Sequence, residues 1–229
     1  MTVGVVVPAA GAGTRLGGGI PKALRRVAGE PLLAHAVRRL RECPSVGPVV
    51  VVAPGALVDE VVALLGPGVT VVPGGAERQD SVRLGLAALP AEVDLVLVHD
   101  AARAFVPVAV VEGVVAALRA GAAAVVPVVP VADTMKRVAQ DVVVETVDRA
   151  ELRAVQTPQG FARSVLEAAH ASPLAVTDDA SMVEAMGVKV TTVPGSALAF
   201  KVTNPVDLAL AEAVLRGSAQ ADGQHFEGG

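Results

Sequence analysis

Residues 3 to 22 confine this chain more tightly than any other stretch. The apolar run Val3-Gly4-Val5-Val6-Val7 empties directly into a glycine-rich loop that carries two cations, Arg15 and Lys22. A short β-branched run of this kind is what a strand buried on both faces looks like. Gly11 and Gly13 have no Cβ, so the backbone after the strand can take positive φ and turn its N–H groups toward an anion. Arg15 adds a fork of donors suited to phosphate oxygens, and Lys22 adds a compact point charge. The stretch therefore reads as a phosphate site. Taken by itself, a glycine turn with two solvated cations is the alternative.

Three glycine motifs can be compared with it. A dinucleotide fingerprint needs glycine at position 16, which is Leu16, and an acidic residue ending the second strand, where Val50 to Gly55 has none. A Walker-type loop needs Gly-Lys-Ser/Thr, but Lys22 lies between Pro21 and Ala23. The pattern that survives, Ala9-Ala10-Gly11-x-Gly13-x-Arg15 followed by Pro21-Lys22, resembles the signature loop of sugar-phosphate nucleotidyltransferases.

Beyond the loop, valine-rich runs at Val49 to Ala53, Val69 to Val72, Asp94 to His99 and Ala123 to Val129 each follow a stretch of helical pattern. Those stretches are Pro31 to Glu42, Leu57 to Leu65, Asp80 to Leu89 and Val108 to Ala120. The alternation predicts an α/β, Rossmann-like, mostly parallel sheet with helices on both faces and right-handed crossovers. Ligands of such sheets sit beyond the carboxyl ends of the strands, so Pro8 to Lys22, Pro73 to Ser81 and Asp100 to Arg103 should share one edge. With 229 residues, 52% of them hydrophobic, the chain can bury one large core. We expect a single domain over residues 1–216.

The alternation breaks between Asp133 and Arg149. Met135 to Val138 and Val142 to Val147 flank Ala139-Gln140-Asp141 and read as a protruding β-hairpin arm, at about 133–150. A lone hairpin is marginal in water, so a second subunit is the economical thing for it to pack on, making a homodimer. Helical patterns resume at Ser164 to Ala171, Ala180 to Met186 and Pro205 to Arg216, with a strand near Val188 to Val193. Residues 217–229 are small and polar without periodicity and read as a disordered tail. No internal repeat is visible.

A net charge of −4 and a pI near 5.6 argue against general nucleic-acid binding. Four Phe and no Trp or Tyr leave no aromatic platforms for stacking single-stranded bases. A small anion is the expected partner. Cys43 is the only cysteine, so no disulfide or cysteine metal cluster forms within one chain. Met1-Thr2 leads straight into the first strand without a signal-like segment, and no apolar run is long enough to span a bilayer. A cytoplasmic, membrane-free location is expected.

Several polar stretches carry the chemistry. In Val98-His99-Asp100-Ala101-Ala102-Arg103, Asp100 sits at the mouth of a buried strand. It suits Mg²⁺, which takes one or two carboxylates plus phosphate oxygens and water, although an N-cap role is open. His99 reads as a structural or supporting residue. Gly74-Gly75-Ala76-Glu77-Arg78-Gln79-Asp80-Ser81 joins a tight turn to a helix start whose free N–H groups could meet a base edge or a phosphate. Gln156 to Phe161 and Lys201-Val202-Thr203 add a hydroxyl and an ammonium suited to a second phosphate.

In this order the stretches resemble, over roughly residues 3 to 215, the 2-C-methyl-D-erythritol 4-phosphate cytidylyltransferases of the non-mevalonate isoprenoid pathway. Also carrying the likeness are Asp133-Thr134-Met135-Lys136, Thr157-Pro158-Gln159 and Thr177-Asp178-Asp179-Ala180-Ser181. The resemblance implies an enzyme that joins CTP to the sugar phosphate, giving 4-CDP-2-C-methyl-D-erythritol and pyrophosphate. By it, Arg15 and Lys22 are catalytic and neutralise the charge developing at the α-phosphate, and Asp100 holds Mg²⁺ beside the nucleotide. Ala9, Ala10, Gly11, Ala12, Gly13, Gly75 and Ser81 contact the nucleotide. Arg103, Thr157 and Lys201 hold the second substrate, joined by Arg149 from a partner subunit's arm. The chain has Ala23 and Ala104 where the family commonly has Gln and Pro, which bears on loop geometry rather than on the charge chemistry. A ribitol-5-phosphate cytidylyltransferase and a CTP-binding regulatory module without turnover are the alternative readings.

Overall fold

The computed structural model describes residues 1–11, 19–172 and 178–223. Its first strand, β1 (Thr2–Pro8), sends Val3, Val5 and Val7 into one hydrophobic cluster and Val6 into another. Side chains alternate across a strand, so a run with both faces apolar needs cover on both sides. After a small hairpin of β2 (Arg26–Val27) and β3 (Glu30–Pro31), the chain supplies that cover by strict alternation. α1 (Leu32–Arg41), β4 (Val49–Ala53), α2 (Val58–Leu65), β5 (Val69–Pro73), α3 (Arg78–Ala88), β6 (Val93–Val98), α4 (Val108–Arg119) and β7 (Ala124–Pro130) follow one another. Helices α1, α2 and α4 pack with Val3, Val5 and Val7, whereas α3 packs with Val6 through Val82 and Leu86.

The arm comes next as β8 (Met135–Ala139) and β9 (Val142–Val147), a two-stranded sheet of its own. Gln140 and Asp141 make its turn with φ of 47° and 65°. Positive φ at both central residues matches the right-handed twist of a two-residue hairpin. Val138, Val142, Val143 and Val144 lie in solvent within this chain.

The chain then returns to the main sheet through β10 (Arg153–Val155) and β11 (Gln159–Ala162), and continues as α5 (Arg163–Ala171), α6 (Asp179–Ala185), β12 (Val190–Pro194) and α7 (Pro205–Gly223). Strands β5, β4, β1 and β6 are parallel neighbours, and β7 and β12 continue in the same direction. Between β6 and β7 lies β11, antiparallel to both, and β10 runs antiparallel to the end of β7. The fold is thus a mostly parallel α/β sheet with helices on both faces, as expected.

One strand was not foreseen, and one expected boundary needs correction. The stretch Gln156 to Phe161 contributes the inserted strand β11, although it contains no β-branched run. Gly160 lets it fit, since a Cβ there would stand 2.5 Å from Val114 Cγ1 and 2.7 Å from Leu118 Cδ1. The proposed tail boundary at residue 216 is also too early, because α7 runs to Gly223. Ser218-Ala219-Gln220-Ala221 contains two alanines, the strongest helix former, and nothing that breaks the helix. Among the described residues no helix is long and apolar enough to cross a membrane.

Candidate active site

Two loops at the carboxyl edge of the sheet lie against each other. Ala9 continues β1 by donating its N–H to the Val52 carbonyl (2.8 Å), and Gly74 leaves β5 by donating to the Ala53 carbonyl (2.8 Å). They abut because Gly74 has no side chain: a Cβ there would lie 2.4 Å from the Ala10 Cβ. Helix α3 begins with a capping box in which the Glu77 and Asp80 side chains each accept from the other's backbone N–H. The Gly75 N–H donates to Ser81 Oγ (3.3 Å), whose hydroxyl donates to the Glu77 carbonyl (3.2 Å). Pro8, Ala10, Gly11, Gly75, Arg78 and Ser81 share the lining of a hollow of about 90 Å³.

A second hollow of about 220 Å³ adjoins the first at Pro8 and Gly11, and Lys22, Asp100 and Lys201 converge in its lining. The third, of about 160 Å³, shares Asp100 and Lys201 with the second and Arg78 with the first, and adds Arg103, Thr157, Gln159 and Asp178. Residues from seven separate stretches of sequence thus form one continuous cleft, on the edge where the strand order predicts it.

Charge in the cleft is organised around Asp100. Its carboxylate is 2.7 Å from Lys201 Nζ and 3.8 Å from the Arg78 guanidinium. Burial acts to raise the Asp100 carboxyl, but Lys201 and Arg78 outweigh it and hold the group below the usual carboxylate range. Arg78 in turn pairs with Asp179 at 2.8 Å, and Asp179, fully buried, is bonded to His170 Nε2 at 3.0 Å. For Asp179, burial is again opposed and overcome, by the His170 hydrogen bond and by Arg78. Burial alone would weaken the Arg78 charge, and its two carboxylate neighbours instead strengthen it. At His99 burial outweighs the opposing pull of the Asp100 carboxylate and pushes the imidazole down to about 4, so it is neutral.

The structure brings Ala9, Ala10, Gly11, Lys22, Gly75, Ser81, Asp100, Arg103, Thr157 and Lys201 to this cleft. Ala12, Gly13 and Arg15, and also Thr177, lie outside the described residues. Arg149 lines none of the three hollows in its own chain; it donates to the Ala132 carbonyl at the base of the arm. Arg103 donates to the carbonyls of Ala199 (2.8 Å) and Val155 (3.2 Å), which ties two neighbouring segments to the cleft wall. Sequence reasoning left Arg78, Gln159, Asp178, Asp179 and His170 off the list of site residues. The Asp178-Asp179 pair was a visible acidic signal, but nothing local links Asp179 to Arg78, 101 residues away.

Among the described residues no group of three or more His, Cys, Asp or Glu is arranged to hold a metal. Asp100 offers one carboxylate in the 220 Å³ hollow, which fits an ion that takes most of its ligands from phosphate and water.

A mostly parallel α/β sheet whose carboxyl edge holds a nucleotide-sized cleft, with Lys22, Lys201 and Asp100 converging in its middle hollow, defines a nucleotidyltransferase-type protein. The chain belongs to the 2-C-methyl-D-erythritol 4-phosphate cytidylyltransferase family, whose model matches residues 3–217. It is 57% identical to the protein of that name from Frankia casuarinae, over 96% of this chain and 84% of the relative. It is also 57% identical to the one from Saccharopolyspora erythraea, over 94% of this chain and 100% of the relative. The crystal structure of the Thermus thermophilus protein of the same name superposes with a TM-score of 0.77 at 39% identity, covering 94% of this chain and 100% of that one. The 4-diphosphocytidyl-2C-methyl-D-erythritol synthase of Anaerococcus prevotii gives a TM-score of 0.82 at 27% identity, covering 94% and 98%.

Proposed function

We infer that the chain carries out the reaction of its family. A phosphate oxygen of 2-C-methyl-D-erythritol 4-phosphate attacks the α-phosphorus of CTP, and the bond to the departing pyrophosphate breaks, leaving 4-CDP-2-C-methyl-D-erythritol. The observation that carries this reading is the convergence of Lys22, Asp100 and Lys201 on one hollow between two others. The attacking group is already an anion, so the enzyme needs no nucleophile or general base of its own. Positioning and charge neutralisation suffice.

The 90 Å³ hollow, walled by Gly75 and Ser81 beside Ala10 and Gly11, takes the cytidine end. Lys22, with Arg15 from the same loop, neutralises the triphosphate as charge builds on the α-phosphate. Asp100 would hold Mg²⁺, which when bound adds further positive charge to the phosphates. Lys201 and Arg103, in the wall shared with Thr157, face the second substrate's phosphate.

The arm is read as a dimerisation element. Val138, Val142, Val143 and Val144 are each more than half exposed in the single chain, and a two-stranded sheet has little stability without a partner. On that reading Arg149 completes the second-substrate site of the partner subunit. A cytoplasmic location suits the free thiol of Cys43.

The test is pyrophosphate release with Mg²⁺, offering CTP, UTP, ATP and GTP against 2-C-methyl-D-erythritol 4-phosphate and, separately, ribitol 5-phosphate. Release with CTP and methylerythritol phosphate alone is the expected result. Release with ribitol phosphate instead would keep the mechanism and move the substrate. Tight CTP binding without release from any pair would replace the enzyme with a CTP-binding regulatory module.

A further inference from the structure

We propose that Thr157 and His99 are positioning residues that fix the main chain of Asp100. The proposal rests on the assignment of Asp100 to the metal–nucleotide complex made above.

Strand β11 pairs Gln159 with Val98, and the same antiparallel register, carried two residues further, sets Thr157 across from Asp100. There the Asp100 N–H donates to Thr157 Oγ1 at 3.0 Å. The same oxygen lies 3.1 Å from His99 Nδ1, and His99 Nε2 lies 3.3 Å from the Arg103 carbonyl. A carbonyl only accepts, so Nε2 carries a proton. The ring is fully buried between these two partners.

The Thr157 hydroxyl oxygen thus takes the Asp100 N–H with one lone pair and is itself held in place by His99 Nδ1. The brace has a fixed foundation, because the His99 N–H donates to the Val6 carbonyl of the central strand at 2.9 Å. From β1 through His99 and Thr157 to Asp100, each hydrogen bond sets the next, and the carboxylate follows from where its own backbone is held.

Thr157→Val keeps the shape and removes the hydroxyl, Thr157→Ser keeps the hydroxyl, and His99→Asn keeps a hydrogen-bonding group near the position of Nδ1. Each is compared with wild type for Mn²⁺ binding in the presence of CTP, read by electron paramagnetic resonance, and for kcat and both KM values in pyrophosphate release. For Thr157→Val the expected result is a roughly tenfold weaker Mn²⁺ affinity, as is usual for loss of a group that orients a ligand. A matching fall in kcat and little change in KM for methylerythritol phosphate should accompany it. Thr157→Ser should restore both, and His99→Asn should lie close to wild type. A rise in KM for methylerythritol phosphate with Mn²⁺ affinity unchanged would show the hydroxyl to be a substrate donor and overturn the proposal. Unchanged behaviour of Thr157→Val, or a loss in Thr157→Ser equal to that in Thr157→Val, would overturn it too. Absence of turnover by wild type would defeat the reaction assigned above, while the metal-binding comparison would still decide the brace.

Discussion

Lys201 Nζ stands 2.7 Å from Asp100 Oδ2, so the ammonium assigned to one substrate's phosphate and the carboxylate assigned to the other's metal form an ion pair where two hollows meet. Removing either partner should therefore disturb both sites. Lys201→Ala is expected to raise KM for methylerythritol phosphate about tenfold, the loss of one charge-assisted contact. Asp100→Asn should lower kcat by about 10²-fold, on the scale of deleting one preorganised electrostatic group. Steady-state kinetics with each substrate varied in turn checks both.

Lys22 lines the same hollow from the opposite loop. Lys22→Ala is expected to fold normally and to lose at least ~10²-fold in kcat, because its charge acts on the transferring phosphate. A thermal melt alongside the assay separates the two effects, and a near wild-type rate would remove Lys22 from the mechanism.

Gly75 packs face to face with the first turn of α3: a Cβ there would stand 2.3 Å from Asp80 Cβ. Asp80 is one half of the capping box, so it cannot retreat without giving up the helix start. Gly75→Ala should cost about 1–3 kcal/mol of stability by overpacking and weaken CTP binding. Chemical denaturation and calorimetric titration with CTP measure the two losses.

The Asp179 pairing with Arg78 and His170 makes an acid-stability prediction. The folded-state value of Asp179 lies below its unfolded value of about 3.9, so the unfolded chain takes up the proton first. The stabilisation is present in full above the unfolded value and is lost as pH falls through the folded one. Asp179→Asn should lower stability by about 2 kcal/mol at neutral pH, less than for a wholly buried pair because Arg78 is 35% exposed. It should also flatten the fall in melting temperature as pH drops below the unfolded value of Asp179, where the carboxylate gives up its contribution. An unchanged acid slope in Asp179→Asn would assign the acid sensitivity to other groups.

Much of the fold was legible beforehand. The runs at Val49 to Ala53 and Val108 to Ala120 appear as β4 and α4 to within a residue, because periodicity and length separate them clearly. The arm was equally readable, from two short β-branched runs around a polar turn. Strand β11 was not, since what makes a strand of Gln159-Gly160-Phe161-Ala162 is the gap between β6 and β7, a property of distant residues.

The site divides along the same line. The sequence by itself determined the glycine-rich loop, the carboxylate at the end of β6, the tight turn into the start of α3 and the family to which their order belongs. These depend on local backbone freedom, charge type and spacing. Only the tertiary structure decided that Lys201 pairs with Asp100, that Arg78 is held between Asp100 and Asp179, and that Thr157 and His99 stand behind the Asp100 backbone. Those partners lie 22 to 101 residues apart, or meet through a register that a single polar stretch cannot specify. Hydrogen-bond direction and ion pairing act over a few ångströms, and only the packed sheet brings such residues that close.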